Sequence, residues 1–514
     1  FSFSGFEANA TYIFARLRGT LLKNLLSLQK LKLGCASSVK CASSAVVNFP
    51  PPFSPVYGGI EEHLNKLAVV DALGSHTYGQ LLGFSQHIQE QISKLAERLS
   101  LPAIVIDGPD NERAEEVEKK DWESLKEEDA LMMYTSGTTG PPKGVALSFR
   151  NVHFQVAQIR RAWQWTSADV MLHALPLHHT HGIISGLLTP LYSRAACLML
   201  PKFSPAEVWK HLLHLDKSKP AVSVFMAVPT MYVKLIEHYE QHLKHCKETA
   251  PEVVQETFAK NIRFVISGSA SLPQPIFEKF QDITGMTILE RYGMTEVGVP
   301  LSNPLHGKRH PGCVGYPTTG VEVCIAEANK SQLGYKPLVL STEEETKFLE
   351  GPENASGELL IRGPNVFKYY WQRPEVTKDS FTQDGWFKTG DSAACIDGVF
   401  KILGRTSADI IKTGGYKVSA LDVERHLLAH PSIKECTVVG APDATWGERV
   451  AAVVVLHDPT STLELEALRS WCKERMPSYN VPSILHCVPA LERNFLGKVN
   501  KKELVKKYVA CPKP

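Results

Sequence analysis

Tyr134-Thr135-Ser136-Gly137-Thr138-Thr139-Gly140-Pro141-Pro142-Lys143-Gly144 follows the short apolar run Ala130-Leu131-Met132-Met133. A run of this kind, bounded by turn residues, reads as a buried strand. Hydroxyl residues and glycines then alternate, and two prolines stiffen the chain ahead of a lysine. Glycine lets the backbone bend toward a ligand, so the N–H groups and hydroxyls of Thr135, Ser136, Gly137, Thr138, Thr139 and Gly140 can converge on an anion, with Lys143 adding positive charge. A strand running into such a loop is a common way to hold phosphate. The P-loop of nucleoside triphosphatases needs Ser or Thr directly after Gly-Lys. Here Pro142 precedes Lys143 and Gly144 follows it, so that template fails. A plain flexible hairpin is the alternative reading.

Outward from this loop, strands and helices alternate. The pattern predicts a helix over 151–163, strands at 170–174 and 197–200 with a helix starting at Gly182 between them, and strands at 222–225 and 264–267. Alternation of this kind implies an α/β fold with mostly parallel sheets and ligands at the carboxyl ends of the strands. On the N-terminal side, 68–71 and 77–78 read as a strand pair, 79–98 as a helix and 101–107 as a strand, before a solvated charge run from Glu112 to Asp129. Lys330 to Ser356 is polar and reads as an irregular surface insertion. Gly404-Arg405 follows strand 399–403 and reads as the hinge into a small C-terminal α+β domain.

A chain of 514 residues exceeds the size at which one core stops growing, so at least two domains are expected. Its 43% hydrophobic and 21% charged content is that of an ordinary globular protein. A net charge of +2 argues against a chain-wide field for nucleic acid or membrane. No apolar run reaches the ~18 residues of a membrane span. Eleven cysteines without a CxxC pair read as reduced thiols, neither a disulfide framework nor a zinc site. Residues 1–45 hold Arg16, Arg18, Lys23, Lys30, Lys32 and Lys40 against the single acid Glu7, with Ile13, Leu17, Leu21, Leu25 and Leu28 on one helical face. A basic, acid-poor amphipathic leader is similar to a mitochondrial transit peptide, which implies the matrix; an ordinary surface helix is the alternative.

The loop, taken with Glu290-Arg291-Tyr292-Gly293-Met294-Thr295-Glu296 and Arg493-Asn494-Phe495-Leu496-Gly497-Lys498-Val499, resembles the adenylate-forming ligases of the acyl-CoA synthetase superfamily. The resemblance implies a large N-terminal adenylate-forming domain (46–404) and a mobile C-terminal domain (405–514). It implies ATP, Mg²⁺ and coenzyme A as participants, and an acyl-adenylate intermediate. Glu296 is suited to hold Mg²⁺ through one carboxylate oxygen, with water and phosphate completing the octahedron. Thr295 can donate to a phosphate oxygen and Tyr292 can stack on adenine. Ser267-Gly268-Ser269 resembles the family's adenine-side loop, Asp391 its ribose-binding carboxylate, and Arg405 is similarly placed for ribose or phosphate. Lys498 takes the place of the adenylation lysine, while Lys501, Lys502, Lys506 and Lys507 read as a solvated helix face. Gly414, Gly415 and Lys417 resemble the loop that borders the pantetheine tunnel once the C-terminal domain has rotated. The family's pivot position is occupied by Thr406-Ser407-Ala408, which leaves the pivot residue unassigned. The stretch before the phosphate loop is shorter than the family's, so a segment near 98–110 is expected to be missing.

Substrate choice turns on Arg291, where many relatives carry glycine, and on His178-His179-Thr180-His181. A buried guanidinium left unpaired costs several kcal/mol, whereas a second carboxylate can be gripped bidentately. A short dicarboxylate is therefore favoured, malonate first and methylmalonate next, with His179 and His181 assisting or merely packing. The expected products are malonyl-CoA, AMP and pyrophosphate. If Arg291 pairs with Glu290 or another acid, a medium-chain or branched acyl-CoA ligase is the alternative. A non-catalytic product of the shortened N-terminal region is another.

Overall fold

The computed structural model describes residues 67–71, 74–77, 126–135, 142–329, 334–349, 354–492 and 499–509. The leader at 1–45, the helix and strand expected between 79 and 107, the shortened segment near 98–110 and nearly all of the charge run lie outside these residues.

Six parallel strands form the centre of a nine-stranded sheet, in the spatial order Leu289–Met294, Phe264–Ser267, Val224–Ala227, Val170–His173, Ala196–Met199 and Leu67–Asp71. Antiparallel strands finish both edges, Gly298–Ser302 with Tyr316–Pro317 on one side and Gly74–Thr77 on the other. Phe264–Ser267 and Val224–Ala227 are buried along their whole length, as expected of strands covered on both faces. The helix Phe149–Ala162 begins with a reciprocal cap. The Ser148 hydroxyl accepts from Asn151 N at 3.2 Å, and Ser148 N donates to Asn151 Oδ1 at 2.9 Å.

The expectation of mostly parallel sheets holds for this sheet and fails for the two others of the N-terminal domain. A six-stranded sheet runs antiparallel throughout, in the order Thr346–Phe348, Gly334–Ser341, Glu322–Asn329, Asn354–Arg362, Phe387–Ile396, Val399–Arg405. Its links are mostly too short for the crossover that a parallel pair requires. Two of its strands come from the 330–356 stretch expected to be irregular; Val339 points into the core and pairs with Ile325. A three-stranded sheet sets the hairpin Asp129–Thr135 and Lys143–Ser148 beside Tyr369–Tyr370.

The C-terminal domain has a sheet of its own, Tyr416–Ser419, Ile410–Thr413, Gly447–Leu456 and Ile433–Asp443, with Ile484–Cys487 added parallel to Gly447–Leu456. Its core (Val418, Val423, Leu427, Val438, Val450 and Leu468 among others) is separate from the cluster that runs from Ala130 to Phe400. Among the described residues no helix is long and apolar enough to cross a membrane.

Candidate functional site

Three groups of side chains hold the residues expected to act, and only the first belongs wholly to the parallel sheet and the segments that follow its strands. The first surrounds Arg291. Successive residues of a strand face opposite sides, so Glu290 and Arg291 part company. The Glu290 carboxylate accepts Gly312 N at 2.6 Å, and burial pushes its pKa up to about 7. Arg291 is 6% exposed and lies against Gly268, where an added Cβ would come within 2.6 Å of its Nε. Burial brings its pKa down to about 10, so it stays charged at neutral pH. Among the described residues no carboxylate pairs with it, and its Nε has no hydrogen-bond partner. The expected alternative of an Arg291–Glu290 pair is therefore not formed.

His181 opens a π-helical segment, His181–Leu188, and is 4% exposed. Its Nδ1 lies 3.3 Å from the Ser269 hydroxyl, while its Nε2 is buried without a partner. Burial, and next the Arg291 charge, hold its pKa well below the ordinary histidine value. The Ser267 hydroxyl is also buried and unpartnered. The Ser267–Ser269 loop, expected on the nucleotide side, thus also borders Arg291 and His181. His179 stays at the exposed rim, its ring 4.4 Å from that of His178.

The second group lies on the antiparallel sheet. Asp391 and Arg405 are register partners, and Arg405 Nε reaches Asp391 Oδ1 at 3.0 Å. The Tyr292 hydroxyl donates to Asp391 Oδ2 at 2.5 Å. Each carboxylate oxygen has two acceptor sites, so Asp391 keeps capacity for further donors. Arg405 Nη1 donates to Thr389 O at 2.8 Å.

The third group is the mouth of the hairpin. Thr135 and Lys143 are register partners, which makes 136–142 the connecting loop; Ser136, Gly137, Thr138, Thr139 and Gly140 themselves lie outside the described residues. The Lys143 ammonium sits 4.3 Å from the ring centroid of Tyr370, whose hydroxyl donates to Glu296 Oε1 at 2.8 Å. Burial raises the Glu296 pKa; the Tyr370 hydrogen bond and the Lys143 and Arg405 charges oppose it. Thr295 and Glu296 share the turn that follows strand Leu289–Met294. Among the described residues no three His, Cys, Asp or Glu side chains cluster to hold a metal. One buried carboxylate, that of Glu296, does fit Mg²⁺ that takes its remaining ligands from nucleotide phosphate and water.

Sequence reasoning missed Tyr370, because its partner Val145 is 225 positions away and only strand pairing joins them. Lys498 lies outside the described residues. Lys501 is no solvated residue: its ammonium pairs with Asp409 at 2.6 Å and Glu424 at 2.7 Å, because the end of the chain packs back onto the C-terminal sheet. Gly414 and Gly415 are exposed on the turn between Thr413 and Tyr416, where Gly414 N donates to Trp446 O at 2.9 Å, and Lys417 is exposed on the strand that follows. Two clefts of about 330 and 520 Å³ lie elsewhere, beside Arg150 and Arg362 and beside Phe277 and Arg309.

A large domain built on a mostly parallel sheet with the buried acids Glu296 and Asp391, followed by a small domain with a core of its own, is the architecture of an adenylate-forming enzyme. The chain matches the AMP-binding enzyme family over residues 61–371 and the AMP-binding enzyme C-terminal domain over 422–498. It belongs to the AMP-binding enzyme family. It is 48% identical to the mitochondrial malonate–CoA ligase of Xenopus laevis over 424 residues, 80% of this chain and 72% of that protein. It superposes on ATP-bound MatB from Rhodopseudomonas palustris with a TM-score of 0.69 at 27% identity, covering 89% of this chain and 98% of that one. Against a malonyl-CoA ligase ternary product complex with methylmalonyl-CoA and AMP the TM-score is 0.52 at 28% identity, covering 87% and 100%.

Proposed function

We propose that the chain is an ATP-dependent acid–CoA ligase that converts malonate to malonyl-CoA, with methylmalonate as the next acid, in the mitochondrial matrix. The observation that carries the acid is the buried Arg291 guanidinium without a carboxylate partner among the described residues, beside the unpartnered His181 Nε2. Buried polar groups in folded proteins are satisfied, so two neighbouring orphans mark a site for an anion. Neither a fatty tail nor a branched chain answers them. The relatives' names point to the same acid.

One carboxylate of malonate attacks the α-phosphorus of ATP, and pyrophosphate leaves. The coenzyme A thiol then attacks the acyl-adenylate carbonyl and AMP departs. Catalysis of phosphoryl chemistry of this kind is mostly positioning and charge stabilisation. In this reading Arg291 and His181 hold the spectator carboxylate, with His179 at the rim. Asp391 takes ribose hydroxyls and Arg405 braces it. Tyr292 lies under adenine, and the Ser267–Ser269 loop also serves the AMP side. Residues 135–140, Lys143 and Thr295 contact phosphate, and Glu296 holds Mg²⁺, which neutralises phosphate charge. Lys498 supplies the adenylation cation, and Gly414, Gly415 and Lys417 form the face for coenzyme A. Two separate cores support a domain boundary at Gly404-Arg405, giving 46–404 and 405–514 after a leader at 1–45.

The test is pyrophosphate exchange with malonate, acetate and octanoate. Malonate is expected to support exchange at least about 100-fold better than octanoate, the discrimination expected when a mismatched substrate leaves buried polar groups unpaired. Octanoate exceeding malonate overturns the assignment. Binding should also move a proton. His181 is neutral at pH 7 in the free protein because its pKa lies below the ordinary value. A carboxylate placed beside it favours the charged form. Malonate binding is therefore expected to take up protons, increasingly so as pH falls through 6.5, and His181→Gln should abolish the uptake. Calorimetry in two buffers of different ionisation enthalpy measures it, and heats independent of buffer would refute it.

A further inference from the structure

Ser267 and Glu290 are register partners on neighbouring parallel strands, and the residues that follow them are Gly268 and Arg291. The two therefore stand side by side, and Arg291 lies down across its neighbour. A Cβ on Gly268 would stand 2.6 Å from Arg291 Nε, 2.7 Å from Cζ and 3.0 Å from Cδ. Those three atoms are its nearest neighbours, and all belong to the arginine. The φ of Gly268 lies outside the left-handed region, so its backbone does not require glycine. Gly293 differs. Its Cβ would stand 3.1 Å from Arg291 Nη1 but only 2.1 Å from Gly298 O, so the turn into the next strand itself excludes a side chain there. At 268 it is the guanidinium, not the backbone, that leaves no room for one.

We infer that Gly268 is a specificity-determining residue for the acid: carrying no side chain, it lets the Arg291 guanidinium rest against the strand end, which sets how far that cation stands from the reacting carboxylate and so the length of diacid accepted. The inference rests on the ligase reading with Arg291 as the acid-binding group, and adds to it the residue that fixes where the cation stands. Ordinary contact begins at 3.4 Å, so an alanine Cβ would lift the guanidinium by about 0.8 Å. That is about half of a carbon–carbon bond of ~1.5 Å. The Cβ would come between the guanidinium and the backbone, so the movement is away from the strand end and into the space the acid occupies. A shorter diacid then fits better. The displaced atoms belong to a flexible side chain, so the fold yields there cheaply and the change is read in substrate choice. Bidentate contact depends on the alignment of a planar fork, which makes it sensitive to a shift of this size.

Pyrophosphate exchange is measured on the full chain with oxalate, malonate, succinate and acetate. The Ser267–Ser269 loop also serves the nucleotide side, so each kcat/KM is divided by the same variant's value for acetate, which cancels losses common to all acids. Gly268→Ala is expected to lower the malonate-to-acetate ratio about tenfold and to raise the oxalate-to-malonate ratio by a similar factor, a misplacement of ~1 Å being worth up to ~100-fold. Succinate should fall at least as far as malonate, and Gly268→Val should extend both shifts. With Arg291 already replaced by alanine there is no guanidinium to lift, so adding Gly268→Ala should move the malonate-to-acetate ratio by no more than about twofold. Ratios unchanged in Gly268→Ala, or shifted equally when Arg291 is absent, would overturn the inference. A wild-type chain that exchanges with no diacid would instead remove the reading beneath it.

Discussion

Arg291→Ala lowers kcat/KM for malonate by about 100- to 1000-fold, the consequence of truncating one partner of a buried hydrogen-bonded charge pair at ~1.4 kcal/mol per decade. The same change leaves acetate nearly untouched, because acetate has no second carboxylate for the guanidinium to hold. The ratio of the two substrates, measured by pyrophosphate exchange, isolates the role from any general damage. Arg291→Lys should fall between, since lysine keeps the charge and loses the planar fork. Stability should move the other way. Arg291 is buried with no carboxylate partner among the described residues, so its removal relieves a desolvation cost. The alanine variant is expected to melt no lower than the parent, and malonate, which raises the parent's melting temperature, should no longer do so. A malonate-to-acetate ratio unchanged by the substitution would remove Arg291 from the acid site.

The parts of this site that can be read from sequence are those whose signal is local. A strand followed by a Gly/Ser/Thr stretch is contiguous in the chain, and the strand itself is found at Asp129–Thr135. Arg291 declared itself through its neighbours Tyr292 to Glu296 and through the cost of burying a cation. Tyr370 had no such signal: an aromatic on a two-residue strand looks like packing until strand pairing sets it against Val145, near Lys143 and Glu296. Lys501 misled for a related reason. A lysine among lysines reads as solvated, and the two carboxylates that bury it, Asp409 and Glu424, lie 92 and 77 positions earlier in the chain. The antiparallel strands at 334–341 and 346–348 were hidden because polar outward residues dilute the apolar alternation that Val339 serves.

Glu296→Gln separates stability from catalysis at the phosphate end. The carboxylate is 4% exposed, and burial raises its pKa despite the Tyr370 hydroxyl and the Lys143 and Arg405 charges. A glutamate whose folded pKa is raised contributes stability that is complete below its unfolded value and is lost as pH rises through the folded value. At pH 7 the raised pKa is therefore a net cost to stability, and glutamine removes it while still accepting from Tyr370. The variant is expected to melt above the parent at pH 7, with the gap closing as pH falls toward the ordinary glutamate range. Adenylation should fall by about 100- to 1000-fold, the loss typical of removing one preorganised electrostatic group from a charge-building transition state. The rise in melting temperature that ATP gives the parent should lose its magnesium-dependent part. The experiment is a pair of melts, with ATP and with ATP plus Mg²⁺, alongside pyrophosphate exchange. A variant that still exchanges at the parent's rate would mean that the carboxylate serves the fold alone. A parent more stable than the variant at pH 7 would mean that its charge is compensated by a partner beyond Tyr370, Lys143 and Arg405.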